Sequence, residues 1–258
     1  MTNSQPIGLF DSGIGGTSIW KEIHQLLPNE NTIYLADTKN APYGQKSKEE
    51  IIALSIKNTE LLLEQNSKII VVACNTATTN AIKELRAKFD VPFIGIEPAI
   101  KPAANNSKTQ TIGILATKGT LNSELFNKTA EKFQDTKIIE QVGFNLVKLI
   151  EEGQMHSEEM TKLLHTYLEP MIAANIDYLV LGCSHYPYLI PQIKEILPPH
   201  IKIIDSGEAV AKQTQKLLEE KIGLNNGNES TAVFYTNTNS DVLEDILENK
   251  YRVIKKDF

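Results

Sequence analysis

Cysteine is scarce in this chain of 258 residues, with Cys74 and Cys183 its only two. Neither belongs to a C-x-x-C pair, which argues against a zinc site or a thioredoxin-like redox centre, so no metal is expected. Long apolar runs are missing as well. None approaches the roughly 20 residues of a membrane-spanning helix, so no membrane partner is expected. The opening "MTNSQPIGLF" has neither the basic start nor the apolar stretch of a signal peptide. The expected compartment is therefore the cytoplasm, where a disulfide would be unusual and both cysteines read as free thiols. A surplus of basic charge is absent too: 26 Lys and Arg face 32 Asp and Glu, for a net charge of −6. That balance argues against a nucleic-acid partner, whose binding face would be a concentrated basic surface. The Lys-rich piece around Lys46 and Lys48 is diluted by Glu49 and Glu50 and reads as a solvated helix face.

What is present is an alternation of short β-branched runs with longer segments of helical periodicity, the pattern of βαβ units and parallel sheets. Strands are expected at "PIGLF", "NTIYLA", "KIIVVA", "PFIGI", "QTIGILA", "TKIIEQ", "DYLVLG", "IKIID" and "TAVFYT". In "SKEEIIALSIKNTELLLEQ", Ile51, Leu54, Leu61 and Leu62 recur at helical spacing. Ser47 is placed to cap that helix, with Glu50 completing a capping box.

The chain also echoes itself. "PIGLFDSGIGGTSIW" and "TIGILATKGTLNSEL" both read as strand, Gly-containing loop and helix; aligning Gly8 with Gly113 sets Ser12 opposite Thr117. Later, "IIVVACNT" and "YLVLGCSH" both read as a buried strand ending in cysteine, then a hydroxyl or amide residue. The expected architecture is α/β: two similar domains, each a mainly parallel sheet flanked by helices, with the active site in the cleft between them. Pro98, Pro102 and a polar run in "GIEPAIKPAANNSKTQ" mark the boundary. The chain is expected to return to the first domain after "IKIIDSGE", giving 1–97 plus 207–258 and 98–206.

In parallel sheets, ligands bind beyond the carboxyl ends of the strands. Asp11 and Ser12, Cys74 to Thr76, Thr117 to Thr120, and Cys183 to His185 all fall there. "DSGIGG" fails as a dinucleotide fingerprint, because Ser18 stands where the third glycine belongs, and it lacks the Gly-Lys-Ser/Thr ending of a P-loop. It reads either as a plain turn or as one whose backbone amides receive a small carboxylate. Cys74 in isolation reads as a buried core residue. Its position at the strand end, beside Asn75, Thr76, Thr78 and Thr79, favours chemistry, and the following helix would lower its thiol pKa. Thr78 and Thr79 themselves read as helix-start residues. Cys183 repeats the setting, with His185 suited to acid–base work.

Two thiols in equivalent places suggest a cleft with one sulfur on each side. A proton removed from one face of a carbon and returned to the other needs two such groups, and a thiol with a pKa of roughly 8.5 is a suitable carrier.

At these residues "IGLFDSGIGG", "ADTKNAPYGQKS", "VVACNTATT" and "LGCSHYP" together resemble the glutamate racemases of bacterial cell-wall synthesis, in that family's order and spacing from Ile7 to about Gly207. The resemblance implies interconversion of L- and D-glutamate without a cofactor, supplying D-glutamate for peptidoglycan. It implies that Cys74 serves the D-enantiomer, assisted by Asp11, and that Cys183 serves the L-enantiomer, assisted by His185. Glu151 matches a glutamate that helps the second thiol. Substrate contacts are implied at Asp11, Ser12, Tyr43, Gly44, Asn75, Thr76, Ser184 and His185, with Thr120 a further candidate. The expected partner is glutamate, and a homodimer is one assembly the sequence allows. Ser184 stands where the family commonly has threonine, and "QVGFNL" where it usually has a Cys-Pro pair. An aspartate racemase would share the cysteine pair, and a non-catalytic amino-acid-binding protein would share the cleft.

Overall fold

A computed structural model describes residues 3–227 and 229–258. Among them ten strands form two sheets. The first holds β1 (Ile7–Asp11), β2 (Thr32–Ala36), β3 (Ile69–Val72), β4 (Phe93–Gly95), β9 (Ala232–Thr236) and β10 (Arg252–Lys255), in the order β10-β9-β2-β1-β3-β4. The second holds β5 (Thr111–Ala116), β6 (Lys137–Val142), β7 (Tyr178–Gly182) and β8 (Lys202–Ile204), in the order β6-β5-β7-β8. Every pairing is parallel. The order β2-β1-β3-β4 in the first sheet matches β6-β5-β7-β8 in the second, so the echo in the sequence is an echo in topology.

β3 is fully buried and β7 is buried from Leu179 to Gly182, as continuous apolar runs covered on two faces should be. One apolar cluster reaches from Ile19 and Trp20 beneath the first sheet to Leu179 and Leu181 in the second, so the halves share a core. Among the described residues no helix is long and apolar enough to cross a membrane.

Ser47 caps the helix Lys48–Glu64 with the full capping box to Glu50. The buried face of this helix is Ile51, Ser55, Asn58, Thr59 and Leu62, with Leu54 and Leu61 only half-buried. Polar residues hold the middle of that stripe because Ser55 and Thr59 bond their own helix carbonyls and Asn58 reaches across to Tyr43. Two elements depart from the sequence reading. The polar stretch after Pro98 contains a helix, Ile100–Asn106, which tolerates Pro102 because the first turn needs no amide from it. β10 went unread, since its "RVIK" is short and half polar.

Register positions the site. Phe10 pairs with Val72, and Ala116 with Gly182. Carried past the strand ends, these pairings set Ser12 beside Cys74 and Thr117 beside Cys183.

Candidate active site

Cys74 and Cys183, both buried free thiols, line one small cavity between the sheets. Ser12, Tyr43, Gly44, Asn75, Thr76, Ser184 and His185 line it with them, as do Thr117, expected at a strand end but not as a substrate contact, and Pro42 and Val147, which the sequence does not single out. Its volume is about 10 Å³, room for a single water.

Cys74 is the N-cap of the helix Asn75–Lys88, and its Sγ accepts the Ala77 amide at 3.4 Å. It lies 3.8 Å from the Ser12 hydroxyl. The helix does pull the thiol pKa down through that amide, but burial and the charge of Asp11 prevail and push it well above the usual cysteine range. The helix dipole alone was therefore a poor guide, because Cys74 is only 4% exposed.

Asp11 ends β1 with its side chain wholly buried. Its Oδ2 accepts the amides of Gly16 at 2.9 Å and Gly13 at 3.3 Å, and its Oδ1 accepts the Ser184 hydroxyl at 3.2 Å. Burial raises its pKa, against the opposing pull of His185 and the Gly16 amide.

Cys183 follows β7 and lies 3.8 Å from Nδ1 of His185. The other ring nitrogen, Nε2, is 2.5 Å from Oε1 of Glu151, which also accepts the Ile14 amide at 2.7 Å. Burial would lower the His185 pKa, yet the Cys183 and Glu151 hydrogen bonds and the charges of Asp11 and Glu151 together hold it well above the usual histidine value. Nε2 of His185 thus sits against Glu151 and also receives the Gly15 amide at 3.2 Å, while Nδ1 faces Cys183, Ser184 and Asp11.

The loop "DSGIGG" binds carboxylates, but they are the protein's own. Gly13 and Gly16 donate to Asp11, and Ile14 donates to Glu151. The reading in which these amides receive a small carboxylate ligand is corrected: those of Gly13, Ile14 and Gly16 are taken by Asp11 and Glu151, and that of Gly15 by Nε2 of His185. The glycines serve close approach. A Cβ on Gly13 would fall 1.9 Å from Glu151 Oε1, and one on Gly15 would fall 2.1 Å from His185 Nδ1. Only bare backbone lets the second half of the molecule bring His185 and Glu151 this near.

Asn75 is 2% exposed, and among the described residues neither Nδ2 nor Oδ1 of its carboxamide has a partner. Burying an unpaired amide costs on the order of 1–3 kcal/mol, so a carboxamide lining a cavity in this state is suited to a polar ligand. Beside it the Thr76 hydroxyl meets those of Thr117 at 2.8 Å and Thr120 at 3.3 Å. Thr120 is fully buried and stands behind this pair; Thr117, not Thr120, lines the cavity. The signal that could have found Thr117 was its alignment with Ser12. The Tyr43 hydroxyl donates to Asp37 at 2.5 Å, which leaves its ring and backbone to face the cavity.

The model of the Asp/Glu/hydantoin racemase family matches residues 7–214. A glutamate racemase of Herpetosiphon aurantiacus is 46% identical over 215 residues, 83% of this chain and 85% of that protein. The structure of the Escherichia coli glutamate racemase, solved with L-glutamate and the activator UDP-MurNAc-Ala, superposes with a TM-score of 0.88 at 32% identity, covering 98% of each chain. The Francisella tularensis glutamate racemase, solved with D-glutamate, superposes with a TM-score of 0.86 at 30% identity, covering 99% of this chain and 98% of that one. With two strand-end thiols around one cavity, a match over most of its length and this identity to its relatives, the chain belongs to the Asp/Glu/hydantoin racemase family.

Proposed function

We propose that this protein is a glutamate racemase that works by two-base proton transfer between Cys74 and Cys183, without a cofactor. The observation that carries the reading is the pair of buried thiols at equivalent strand ends on one cavity, each with its own ionisable partner.

In this mechanism L-glutamate loses its α-proton to the Cys183 sulfur while the Cys74 thiol delivers a proton to the opposite face; D-glutamate runs the sequence backwards. The C–H bond breaks toward a thiolate, the electron pair passes into the adjacent carboxylate, and a new C–H bond forms with the other thiol. The two sulfurs thereby exchange protonation states. Burial keeps Cys74 protonated and ready to donate, and Asp11 assists it when it must act as base. The His185 imidazolium, held by Glu151, balances charge on the Cys183 sulfur. Asn75, Thr76, Ser12 and Ser184 supply polar contacts for the amino acid, and Tyr43 and Gly44 close one wall. Thr117 replaces Thr120 as the direct contact from the second half.

The division into residues 1–97 plus 207–258 and 98–206 belongs to the same reading. A cavity of about 10 Å³ is far too small for glutamate, so the two halves separate to admit it and close again to exclude water. Relatives solved with L-glutamate and with D-glutamate support a site that accepts both enantiomers. A role in the cytoplasm supplying D-glutamate for peptidoglycan follows from the resemblance. Circular dichroism on L-glutamate and L-aspartate, run in deuterated water, tests the proposal. Loss of optical activity with deuterium at the α-carbon of glutamate is expected, and dominant turnover of aspartate would overturn the substrate assignment.

A further inference from the structure

Asp37 is a buried carboxylate that the proposed mechanism does not use. It is 1% exposed, and among the described residues no ion pair includes it. Neutral donors surround it instead. Its Oδ2 accepts the Tyr43 hydroxyl at 2.5 Å and Asn58 Nδ2 at 3.4 Å; its Oδ1 accepts Asn237 Nδ2 at 2.6 Å and Asn40 Nδ2 at 2.8 Å. A buried carboxylate is tolerable when donors satisfy its lone pairs, and removing one leaves the charge exposed to its full desolvation cost.

These donors come from three separate parts of the chain. Asn40 and Tyr43 belong to the turn that brings Tyr43 and Gly44 to the cavity. Asn58 lies on the helix Lys48–Glu64. Asn237 lies just past β9, 200 residues from Asp37 and outside the matched family model, which ends at residue 214. Its carboxamide grips the turn twice, donating to Asp37 and accepting the Lys39 amide at 2.8 Å.

We propose that Asp37 and Asn237 are positioning residues: together they fix the turn from Asp37 to Gln45 and so set where Tyr43 and Gly44 close on the substrate. The segment after β8, which contributes nothing to the cavity lining, thus acts on the site through one buried carboxylate. In its kinetic form the inference rests on the glutamate racemase reading.

Asp37→Asn and Asn237→Ala test it, with Lys39→Ala as control. The Lys39 side chain pairs with Asp257 at 3.1 Å across the same two segments, but at the exposed surface. KM for glutamate is expected to rise about tenfold in the first two variants, with kcat changed by less than about twofold, because the turn contributes binding rather than proton transfer. Lys39→Ala leaves KM unchanged. A fall in kcat with KM unaltered, or an Asn237→Ala protein indistinguishable from the parent, would overturn the inference. Hydrogen exchange in the ligand-free protein separates this outcome from failure of the glutamate assignment. Faster exchange over residues 40–46, with the helix Asn75–Lys88 unaffected, is expected in Asn237→Ala whatever the substrate; unchanged exchange there overturns the inference on its own.

Discussion

The two thiols occupy topologically equivalent strand ends, yet the chain gives them opposite surroundings. Cys74 caps a helix of 14 residues and faces a buried carboxylate, Asp11. Cys183 is followed by the short turn Tyr186–Leu189, which runs into the helix Ile190–Ile196, and it faces His185, whose pKa its partners raise. A negative neighbour strengthens a thiol's hold on its proton, as Asp11 does for Cys74. The lesson is that the fold's symmetry supplies the two positions, whereas individual side chains supply the different chemistry at each. In water L- and D-glutamate have equal free energies, so kcat/KM must be the same in both directions. Any functional consequence of this asymmetry therefore appears in kcat and KM separately.

Removing either sulfur breaks the comparison outright. Cys74→Ala and Cys183→Ala should each lower racemisation by about 10³-fold or more, the scale of losing a general acid–base group. Polarimetry from both enantiomers measures this, and a variant of either kind with full turnover would sink the two-thiol mechanism.

Next in size is the contact that lets the two surroundings meet. Gly15→Ala would push a Cβ into His185, displacing the imidazole from Cys183 while leaving the Cys74 side in place. A misplacement near 1 Å costs about 10²-fold in rate, so kcat/KM should fall by about that factor. Gly13→Ala, which collides with Glu151, should act in the same direction. Activity equal to the parent in both variants would show that the close approach of the loop is incidental.

Much of this asymmetry was beyond the reach of the sequence. The strand ends, both cysteines, the capping box at Ser47 and the echo between the halves follow from local patterns that the chain must display to fold. The carboxylates inside "DSGIGG" are different: the sequence shows glycines suited to an anion, but only tertiary structure shows that Asp11 and Glu151 fill the loop. Thr117 carried a weak signal through its alignment with Ser12. Pro42 and Val147 carried none, since an apolar wall has no distinctive spacing. Asn237 is a loop asparagine like many others until the fold brings it to Asp37.

Charge on the Cys183 side can be tuned without removing a group that touches the thiol. Glu151→Gln keeps a side chain near Nε2 of His185 but removes the charge, leaving Asp11 as the remaining carboxylate facing the ring. An opposite charge in such contact moves a pKa by about 1–3 units. The imidazolium of the variant should thus lose its proton at lower pH, and the alkaline limb of the pH–rate profile should move down by about one unit. The His185 pKa is higher in the folded protein than in the unfolded chain, so its contribution is complete below the ordinary value of about 6.5 and disappears as pH rises through the elevated one. Denaturant titrations across that window should show a decline in the parent and a flatter profile in Glu151→Gln.

The smallest expected effect concerns the residue that joins the two surroundings. Ser184 follows Cys183, yet its hydroxyl donates to Asp11, the carboxylate facing Cys74. Its backbone carbonyl accepts the Ser18 hydroxyl at 2.8 Å, so the residue is tied to the first half at two points. Ser184→Ala removes the bond to Asp11 together with the longer contact to Nδ1 of His185 at 3.4 Å, and should lower kcat/KM by about fivefold, in line with the net value of one buried hydrogen bond. Ser184→Thr keeps the donor and adds a methyl group, and should stay within about twofold of the parent. If Ser184→Ala also stayed there, the hydroxyl would not couple the two sides, and the thiols could be treated as independent. If Ser184→Thr fell as far as Ser184→Ala, steric room beside Cys183 would outweigh the hydrogen bond, and serine would be the residue this cavity requires.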